Sequence, residues 1–275
     1  MAIDVTTLWD FSRPEVSEQR FRAALETATG DDALILQTQI ARTYGLRKDF
    51  DKARKVLRSI EPHIKSAGPE VRVRYELELG RTYASATHSP ELQTPSNKET
   101  ARAAYQRALD QARAAELDGL SIDAIHMLAF VDTAPADQLK WAQSALTVVE
   151  SSTQPAAKGW EASIRNNLGY ALHQLGQYDD ALTQFKAAVA LRERGTNAEA
   201  TRVAHWMVAW TLRALGRSDE ALAMQLRLER ECDAAGQPDT HVFEELEILY
   251  RDKGDVSRAQ HYQARRTAVA KANAK

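Results

Sequence analysis

Apolar residues recur along most of the chain at intervals of three and four, with charged and polar residues between them. This spacing places the apolar side chains on one face of an α-helix. Ala, Leu, Gln, Arg and Glu dominate, and all five residue types enter a helix at little cost in free energy. Pro and Gly, which end helices, number only 8 and 12 in 275 residues. The pattern predicts an all-α protein.

The C-terminal half contains a repeat of about 40 residues. The segments Leu175–Leu182, Leu215–Leu222 and Lys253–Ala259 align, and each has a glycine, then an acidic or hydroxyl residue, then a small alanine. The glycine suits the left-handed end of one helix, and the acidic or hydroxyl residue can cap the next helix. Each unit is therefore predicted to be a helix, a tight turn and a second, antiparallel helix.

Small residues mark the places where paired helices are expected to cross. Gly169 or Ala209 on a first helix can face Ala181 or Ala221 on the second, because helices approach closely only where a side chain is nearly absent. The unit around Gly169 resembles the tetratricopeptide repeat, although Arg165 stands where that family has tryptophan. The matching residues are Leu168, Gly169, Gly176, Tyr178, Ala181, Phe185 and Ala188.

The length of the unit refines this resemblance. Units of about 40 residues are longer than the usual 34 of the family. They are similar to the extended repeats of kinesin light chains and of related bacterial proteins, whose paired asparagines correspond to Asn166 and Asn167. The resemblance implies a right-handed α-solenoid of about six helix pairs with an N-terminal capping helix.

We predict a single solenoid domain over residues 1–275. Residues 1–30 are expected to form an N-terminal segment and capping helix, and residues 31–154 three divergent repeats. Residues 155–275 are expected to form three better-defined repeats and a C-terminal capping helix. A polar insertion at 88–96 is either a lid or partner-contacting loop, or a mobile surface excursion.

Three hydroxyl residues precede a glutamate at capping-box spacing, which predicts that each hydroxyl begins a helix. In a capping box, the hydroxyl and the carboxylate satisfy amides of the first turn. The pairs are Ser12 with Glu15, Ser96 with Glu99, and Thr196 with Glu199.

Charge and cysteine content narrow the classes of partner and compartment. The 36 basic and 38 acidic residues give a net charge of -2, so no global field attracts nucleic acid or an anionic membrane. The single Cys232 predicts a reducing compartment and a structural role. No secretory signal or membrane-spanning stretch is apparent, and we expect a cytoplasmic protein that binds neither nucleic acid nor membrane.

The first helices of the pairs are expected to line a concave groove. With the Leu-Gly positions used for packing, the residues at offsets i, i+4 and i+7 should face outward. This stripe also includes Thr38, Leu77 and Asp123. The predicted partner-binding residues on it are Arg42, Arg81, Met127, Asn166, Tyr170, His173, Trp206, Trp210 and Arg213.

Several of these residues have two interpretations. Trp206 and Trp210, with Arg213 below them, are either an exposed recognition surface or core residues wedged between units. Tyr170 and Met127 leave the same two alternatives open.

The polar candidate residues also have two interpretations each. Arg42 and Arg81 either converge to bind carboxylates or phosphates of a client, or are solvated charges near Glu78. Asn166 and its neighbour either grip a peptide backbone, since a carboxamide donates and accepts, or one of them is buried.

Catalytic and metal-binding patterns are missing from the sequence. No histidine has a second His or a Cys three or four residues away, and no phosphate loop or nucleophile elbow is present. We predict no catalytic residues, no metal and no cofactor. The expected function is that of a non-catalytic scaffold or adaptor that binds a peptide segment or helix of a partner protein. The alternative is a regulatory sensor for a small signalling peptide or metabolite.

Overall fold

The computed structural model describes residues 3–273, and this part of the chain is helical throughout, with no strand. Short 3-10 helices span Val5–Leu8 and Pro90–Leu92. None of the helices in the described range has the length and apolarity that a membrane span requires. The α-helices are α1 (Pro14–Leu25), α2 (Gly30–Leu46), α3 (Phe50–Ile64), α4 (Pro69–Arg81), α5 (Pro95–Ala114), α6 (Asp118–Val131), α7 (Pro135–Ser151), α8 (Pro155–Lys158), α9 (Glu161–Gln174), α10 (Tyr178–Arg192), α11 (Ala198–Ala214), α12 (Ser218–Ala234), α13 (Thr240–Asp252) and α14 (Val256–Asn273).

Helices that are adjacent in sequence pack as pairs. The pairs are α2 with α3, α4 with α5, α6 with α7, α9 with α10, α11 with α12, and α13 with α14. Helix α1 packs on α2, in the position predicted for an N-terminal capping helix. Over residues 3–273 the predicted all-α architecture of about six helix pairs is confirmed.

The chain divides into two compact units, Met1–Trp160 and Glu161–Lys275. In the first unit, the first helices of successive pairs, α2, α4 and α6, contact one another in order. In the second unit, α9, α11 and α13 do the same. The assignment of residues 1–275 to one domain stays a prediction.

Two glycines allow close helix crossings. A methyl group added at Gly80 would lie 2.4 Å from the ring of Tyr105, and one at Gly169 would lie 2.7 Å from the ring of Phe185. Gly169 lies at a close crossing, as predicted, but the side chain closest to it is Phe185 rather than Ala181. The facing of Ala209 and Ala221 stays a prediction. Each aromatic ring occupies the space that the missing side chain leaves, which joins the two helices of the pair.

The turns between helices follow one backbone pattern in both units. Gly176, Gly216 and Gly254 have φ angles of 75°, 74° and 75°, as predicted for left-handed residues that end a helix. In the first unit, Lys48 and Glu116 take this conformation, with φ angles of 63° and 56°. The first unit therefore has the same turn, but with a residue other than glycine, so the turn cannot be recognised from the sequence.

Prolines and an asparagine begin the helices for which capping boxes were predicted. Pro14 and Pro95 occupy the first position of α1 and α5, where the fixed φ of proline is favourable. Thr94 caps α5, and Asn197 caps α11 by accepting a hydrogen bond from the amide of Ala200. The predicted caps at Ser12, Ser96 and Thr196 are wrong.

The polar insertion is attached to the first unit through its first residue. His88 is buried, and its ring stacks on that of Phe50 with centroids 3.8 Å apart. Its Nδ1 accepts a hydrogen bond from the amide of Ser85, and its Nε2 lies 3.2 Å from the carbonyl oxygen of Thr82. The start of the insertion is therefore packed, and the interpretation as a surface excursion does not hold for His88.

Candidate partner-binding site

The candidate residues lie on two faces. We call the surface formed by α9, α11 and α13 the second-unit face, and the surface formed by α2, α4 and α6 the first-unit face. The stripe predicted to point outward is wrong at Thr38 and Leu77, which are 0% and 1% exposed. Both side chains are buried, so the exposed part of each helix is narrower than the sequence pattern indicates.

Aromatic rings stack across the second-unit face. The centroids of His173 and Trp210 are 3.4 Å apart with nearly parallel planes, and those of Trp206 and Trp210 are 5.7 Å apart. Tyr170 stacks beside Trp210 at 6.1 Å. Edge-on contacts extend the stack to Tyr178 and to His241. We call this set the aromatic row; its members are Tyr170, His173, Tyr178, Trp206, Trp210 and His241.

The row is partly open to solvent and partly core. Tyr170 is 40% exposed, whereas His173 is 8% exposed. Trp206 and Trp210 are half-buried, and Trp206 also packs against the core cluster that contains Phe243. Trp206 therefore combines both interpretations of the sequence, since it contributes to the core and to the face.

Three polar atoms on or beside the aromatic row are buried without a hydrogen-bond partner in the described residues. They are Oδ1 of Asn166, Nε2 of His173 and Nε1 of Trp206. Burial, with a smaller contribution from the nearby Arg213 cation, lowers the pKa of His173 to about 4. His173 is thus neutral at physiological pH. The row offers a carboxamide acceptor, an indole donor and a neutral imidazole.

Arg213 is already engaged. Its Nε and Nη2 lie 2.7 and 2.8 Å from the two carboxylate oxygens of Glu245, which is buried. The hydrogen bond with Glu245 raises the pKa of Arg213 despite its partial burial. This two-point ion pair joins α11 to α13 and fixes the helices that carry the aromatic row.

The first-unit face brings Arg42 and Arg81 together with two carboxylates. Nη1 of Arg81 lies 2.6 Å from Glu78 and its Nη2 lies 2.5 Å from Asp123, whereas Nη1 of Arg42 is 3.8 Å from Glu78. Burial alone raises the pKa of Asp123, but the Arg81 and Arg42 cations lower it on balance. Burial lowers the pKa of Arg81, but Asp123 and Glu78 raise it on balance. The four side chains form a network without net charge.

A cavity of about 230 Å³ lies beside this network. Met127, Phe130 and Trp160 line it together with the charged groups, and residues 85–87 of the loop after α4 border it. Met127 is 7% exposed, and the ring of His126 lies against that of Trp160. We call this cavity the first-unit pocket.

Sequence reasoning named Glu78 only as a charge near Arg42 and Arg81, and it did not find Trp160. Glu78 lies one position away from the stripe, and Trp160 precedes α9, outside any clear repeat position. A buried glutamate three residues from an arginine on one helix face is a usable signal, because ion pairs form at that spacing. Within residues 3–273, no group of three or more His, Cys, Asp or Glu side chains is arranged to hold a metal ion.

Comparison with known protein families gives one match. The sequence profile described as "Tetratricopeptide repeat" matches residues 160–230, which contain α9, α10, α11 and most of α12. Residues 160–230 are therefore similar to tetratricopeptide repeats. The matched segment includes every member of the aromatic row except His241. Comparison with curated protein sequences gives no match.

Solved structures with tetratricopeptide-type folds resemble the chain. The Signal Transduction ATPase with Numerous Domains protein with a tetratricopeptide repeat sensor, from Pyrococcus horikoshii, has a TM-score of 0.70 and 12% identity; the match covers 93% of this chain and 39% of that protein. Apo RapI has a TM-score of 0.71 and 11% identity, over 97% of this chain and 73% of RapI. NprR in complex with its cognate peptide NprX has a TM-score of 0.60 and 11% identity, over 97% of this chain and 76% of NprR. At these identities the likeness is one of fold.

Proposed function

We propose that the second-unit face binds a peptide segment or a helix of a partner protein, and that the protein acts as a non-catalytic, cytoplasmic scaffold or adaptor. The observation that carries the proposal is the partly exposed aromatic row, together with its unpaired polar atoms. Large aromatic side chains with an apolar face and a polar edge are the residues that dominate the binding energy of protein interfaces.

The row suits an elongated ligand because its members lie on four helices, including α10 through Tyr178. Tyr170 is on α9, Trp206 and Trp210 are on α11, and His241 is on α13. A peptide laid across these helices would contact each ring in turn. The exposed rings of Tyr170 and His241 are the ones that a ligand can cover without rearrangement of the core.

The unpaired atoms match the groups of a peptide backbone. A carboxamide oxygen such as Oδ1 of Asn166 accepts from an N–H, and an indole N–H such as that of Trp206 donates to a carbonyl. Buried polar atoms without partners cost free energy, about 1–3 kcal/mol each, so a ligand that pairs them gains affinity. Side-chain rotations of the size common at interfaces bring these atoms within reach of a ligand.

A solved relative supports a peptide as ligand. The NprR structure, which has a similar fold, contains its cognate peptide NprX. The same observation favours the alternative function, a regulatory sensor for a small signalling peptide. A sensor would be stabilised thermally by short free peptides alone, whereas an adaptor would also bind a folded partner that displays the segment.

The test is a selection of peptides from a random display library on the full chain, followed by titration with the selected peptides. Tyr170→Ala should weaken binding about tenfold, as expected for loss of an aromatic anchor. Val256→Ala is the matched control, because Val256 is an exposed apolar residue on α14, outside the row. Helical content should stay unchanged in both variants. Selected peptides that bind the wild type and Tyr170→Ala equally well would refute the proposed face.

A further inference from the structure

Arg42, in the first unit, is held in place by two aromatic rings of the N-terminal segment. Trp9 and Phe11 stack in parallel with centroids 4.6 Å apart, and the guanidinium carbon of Arg42 lies 5.6 and 5.5 Å from their centroids. The indole N–H of Trp9 donates to Oε1 of Gln39 at 3.0 Å, which fixes the ring. Cation–π contacts orient the guanidinium but use none of its N–H donors.

One of those donors, Nε, is unpaired within residues 3–273, and Nη1 forms only a long ion pair. Nε of Arg42 is buried and has no hydrogen-bond partner there. The nearest carboxylate oxygen is Oε1 of Glu78, 3.8 Å from Nη1, which is beyond hydrogen-bond distance. Glu78 already accepts a hydrogen bond from Arg81 at 2.6 Å. Arg42 is thus a pre-oriented, partly buried cation whose Nε lacks an acceptor, which is a binding element for an anion.

The wall of the first-unit pocket indicates the rest of the ligand. Met127, Phe130 and Trp160 line the same cavity as Arg42, so an apolar or aromatic body fits beside the charged group. A thioether and two aromatic rings form an adaptable apolar surface. The volume of about 230 Å³ accommodates one small molecule or one terminal residue rather than a long segment.

The charges of the pocket limit the charge of the ligand. Glu78 and Asp123 also line the cavity and both pair with Arg81. The attraction by Arg42 and the repulsion by the two carboxylates both rise in proportion to the charge of the ligand. The cost of removing the ligand from water rises with the square of that charge, so a single negative charge is favoured. The arrangement favours a monoanion over a phosphate.

We infer that the first-unit pocket binds a small organic monocarboxylate with an apolar body. Its carboxylate accepts hydrogen bonds from Arg42, and its apolar part lies against Met127, Phe130 and Trp160. Trp9 and Phe11 are positioning residues that hold the guanidinium. The inference is separate from the proposed peptide-binding function, because it uses no residue of the second unit.

The primary test is calorimetric titration of the full chain with N-acetylphenylalanine and, as a matched neutral ligand, N-acetylphenylalaninamide. We expect the acid to bind about tenfold more tightly than the amide, since a charge-assisted hydrogen bond is lost. Inorganic phosphate should bind more weakly than the acid. Equal affinities for acid and amide, tighter binding of phosphate, or no binding of the acid would each overturn the inference without any variant being required.

Variants test the assigned residues. Arg42→Gln should remove the preference for the acid, whereas Arg217→Gln, an arginine paired with Glu220 on the surface of the second unit, should keep it. Met127→Trp should fill the cavity and reduce binding of acid and amide alike. Retained acid preference in a folded Arg42→Gln, or unchanged binding in Met127→Trp, would overturn the assignment.

Two further ligands identify the source of the carboxylate. Binding of phenylacetate but not of a decapeptide that ends in Phe indicates a free small acid, and binding of both indicates the terminus of a chain. The variant Tyr170→Ala separates this inference from the proposed peptide-binding function. It should leave acid binding unchanged, so failure of the peptide-binding proposal and failure of this inference are distinguishable.

Discussion

Two turns of the first unit place a side chain where the corresponding turns of the second unit have glycine. Lys48 and Glu116 have positive φ angles, and both are exposed. The residue after each donates a backbone hydrogen bond to a carbonyl five residues earlier, Asp49 to Tyr44 and Leu117 to Ala112, each at 2.9 Å. The left-handed conformation costs a non-glycine residue about 1–2 kcal/mol.

Lys48→Gly and Glu116→Gly should therefore stabilise the protein. The removed strain exceeds the extra backbone entropy of glycine in the unfolded chain, and we expect each to raise the free energy of unfolding by about 0.5–1 kcal/mol. Lys48→Ala is the control, because it shortens the side chain but keeps the strained Cβ. Denaturant unfolding measures the effect. An equal gain from Lys48→Ala would contradict the explanation by backbone strain.

His173 makes the free energy of unfolding depend on pH. Burial lowers its pKa to about 4 in the folded state, and Trp210 covers its ring. The imidazole of His173 therefore has a pKa near 6.5 in the unfolded chain and about 4 in the folded chain. Since the unfolded state then binds more protons, this contribution is full above pH 6.5 and is lost as the pH falls towards 4.

The measurement is an NMR titration of the His173 ring. Trp210→Ala should open the ring to water and raise its pKa towards 6.5. His173→Gln should flatten the decrease of unfolding free energy between pH 6.5 and 4, though not abolish it, because burial also lowers the pKa of His88 and His126. A pKa of His173 near 6.5 in the wild type would show that the stack does not exclude solvent.

Residue identity at a helical spacing predicted part of the site. The offsets of four and three brought Asn166, Tyr170 and His173 onto one face, and the same rule placed Trp206 and Trp210 beside them. It did not predict what partners these residues have. The pairing of Arg213 with Glu245 and the stack of Trp9 under Arg42 join residues about 30 positions apart, which a periodic pattern does not specify.

At the scale of helices, the close crossings depend on two glycines. An added methyl at Gly80 in α4 meets Tyr105 of α5, and one at Gly169 in α9 meets Phe185 of α10. Both rings are fully buried and cannot move aside without repacking.

Gly80→Ala and Gly169→Ala should each destabilise the protein by about 1–3 kcal/mol, the usual cost of overpacking. Gly45 is the matched control. It is also helical, but an added methyl there meets no atom within 4 Å, so Gly45→Ala should stabilise by about 0.5–1 kcal/mol. Denaturant midpoints compare the three variants. A Gly80→Ala protein as stable as Gly45→Ala would refute the close crossing.

Helix existence was predictable and helix starts were not. The amphipathic pattern and the turn glycines locate the pairs of the second unit within a few residues. The capping boxes failed because other signals were stronger, since Pro95 fits the first helical position and Asn197 is a better cap than Thr196. The insertion looked mobile because it is polar, yet the ring contact between His88 and Phe50 buries its start.

At the scale of the whole molecule, the two units share one plan but not one sequence signature. The tetratricopeptide profile matches residues 160–230, where the turns contain glycine. In the first unit, Lys48 and Glu116 replace the turn glycine, and the insertion lengthens a repeat. Both units keep paired, stacked helices because stacking requires small residues at the crossings and a left-handed residue in the turn. Lysine and glutamate can occupy the turn position as well as glycine.

The central claim is that the second-unit face, and not another surface, receives a peptide. Benzoylphenylalanine in place of Tyr170 puts a photoreactive group in the aromatic row, and the same group in place of Val256 puts it on α14, outside the row. With a labelled peptide selected on the wild type, illumination should yield a covalent adduct at position 170 and little at position 256. Adducts at position 256 with none at position 170 would contradict the claim.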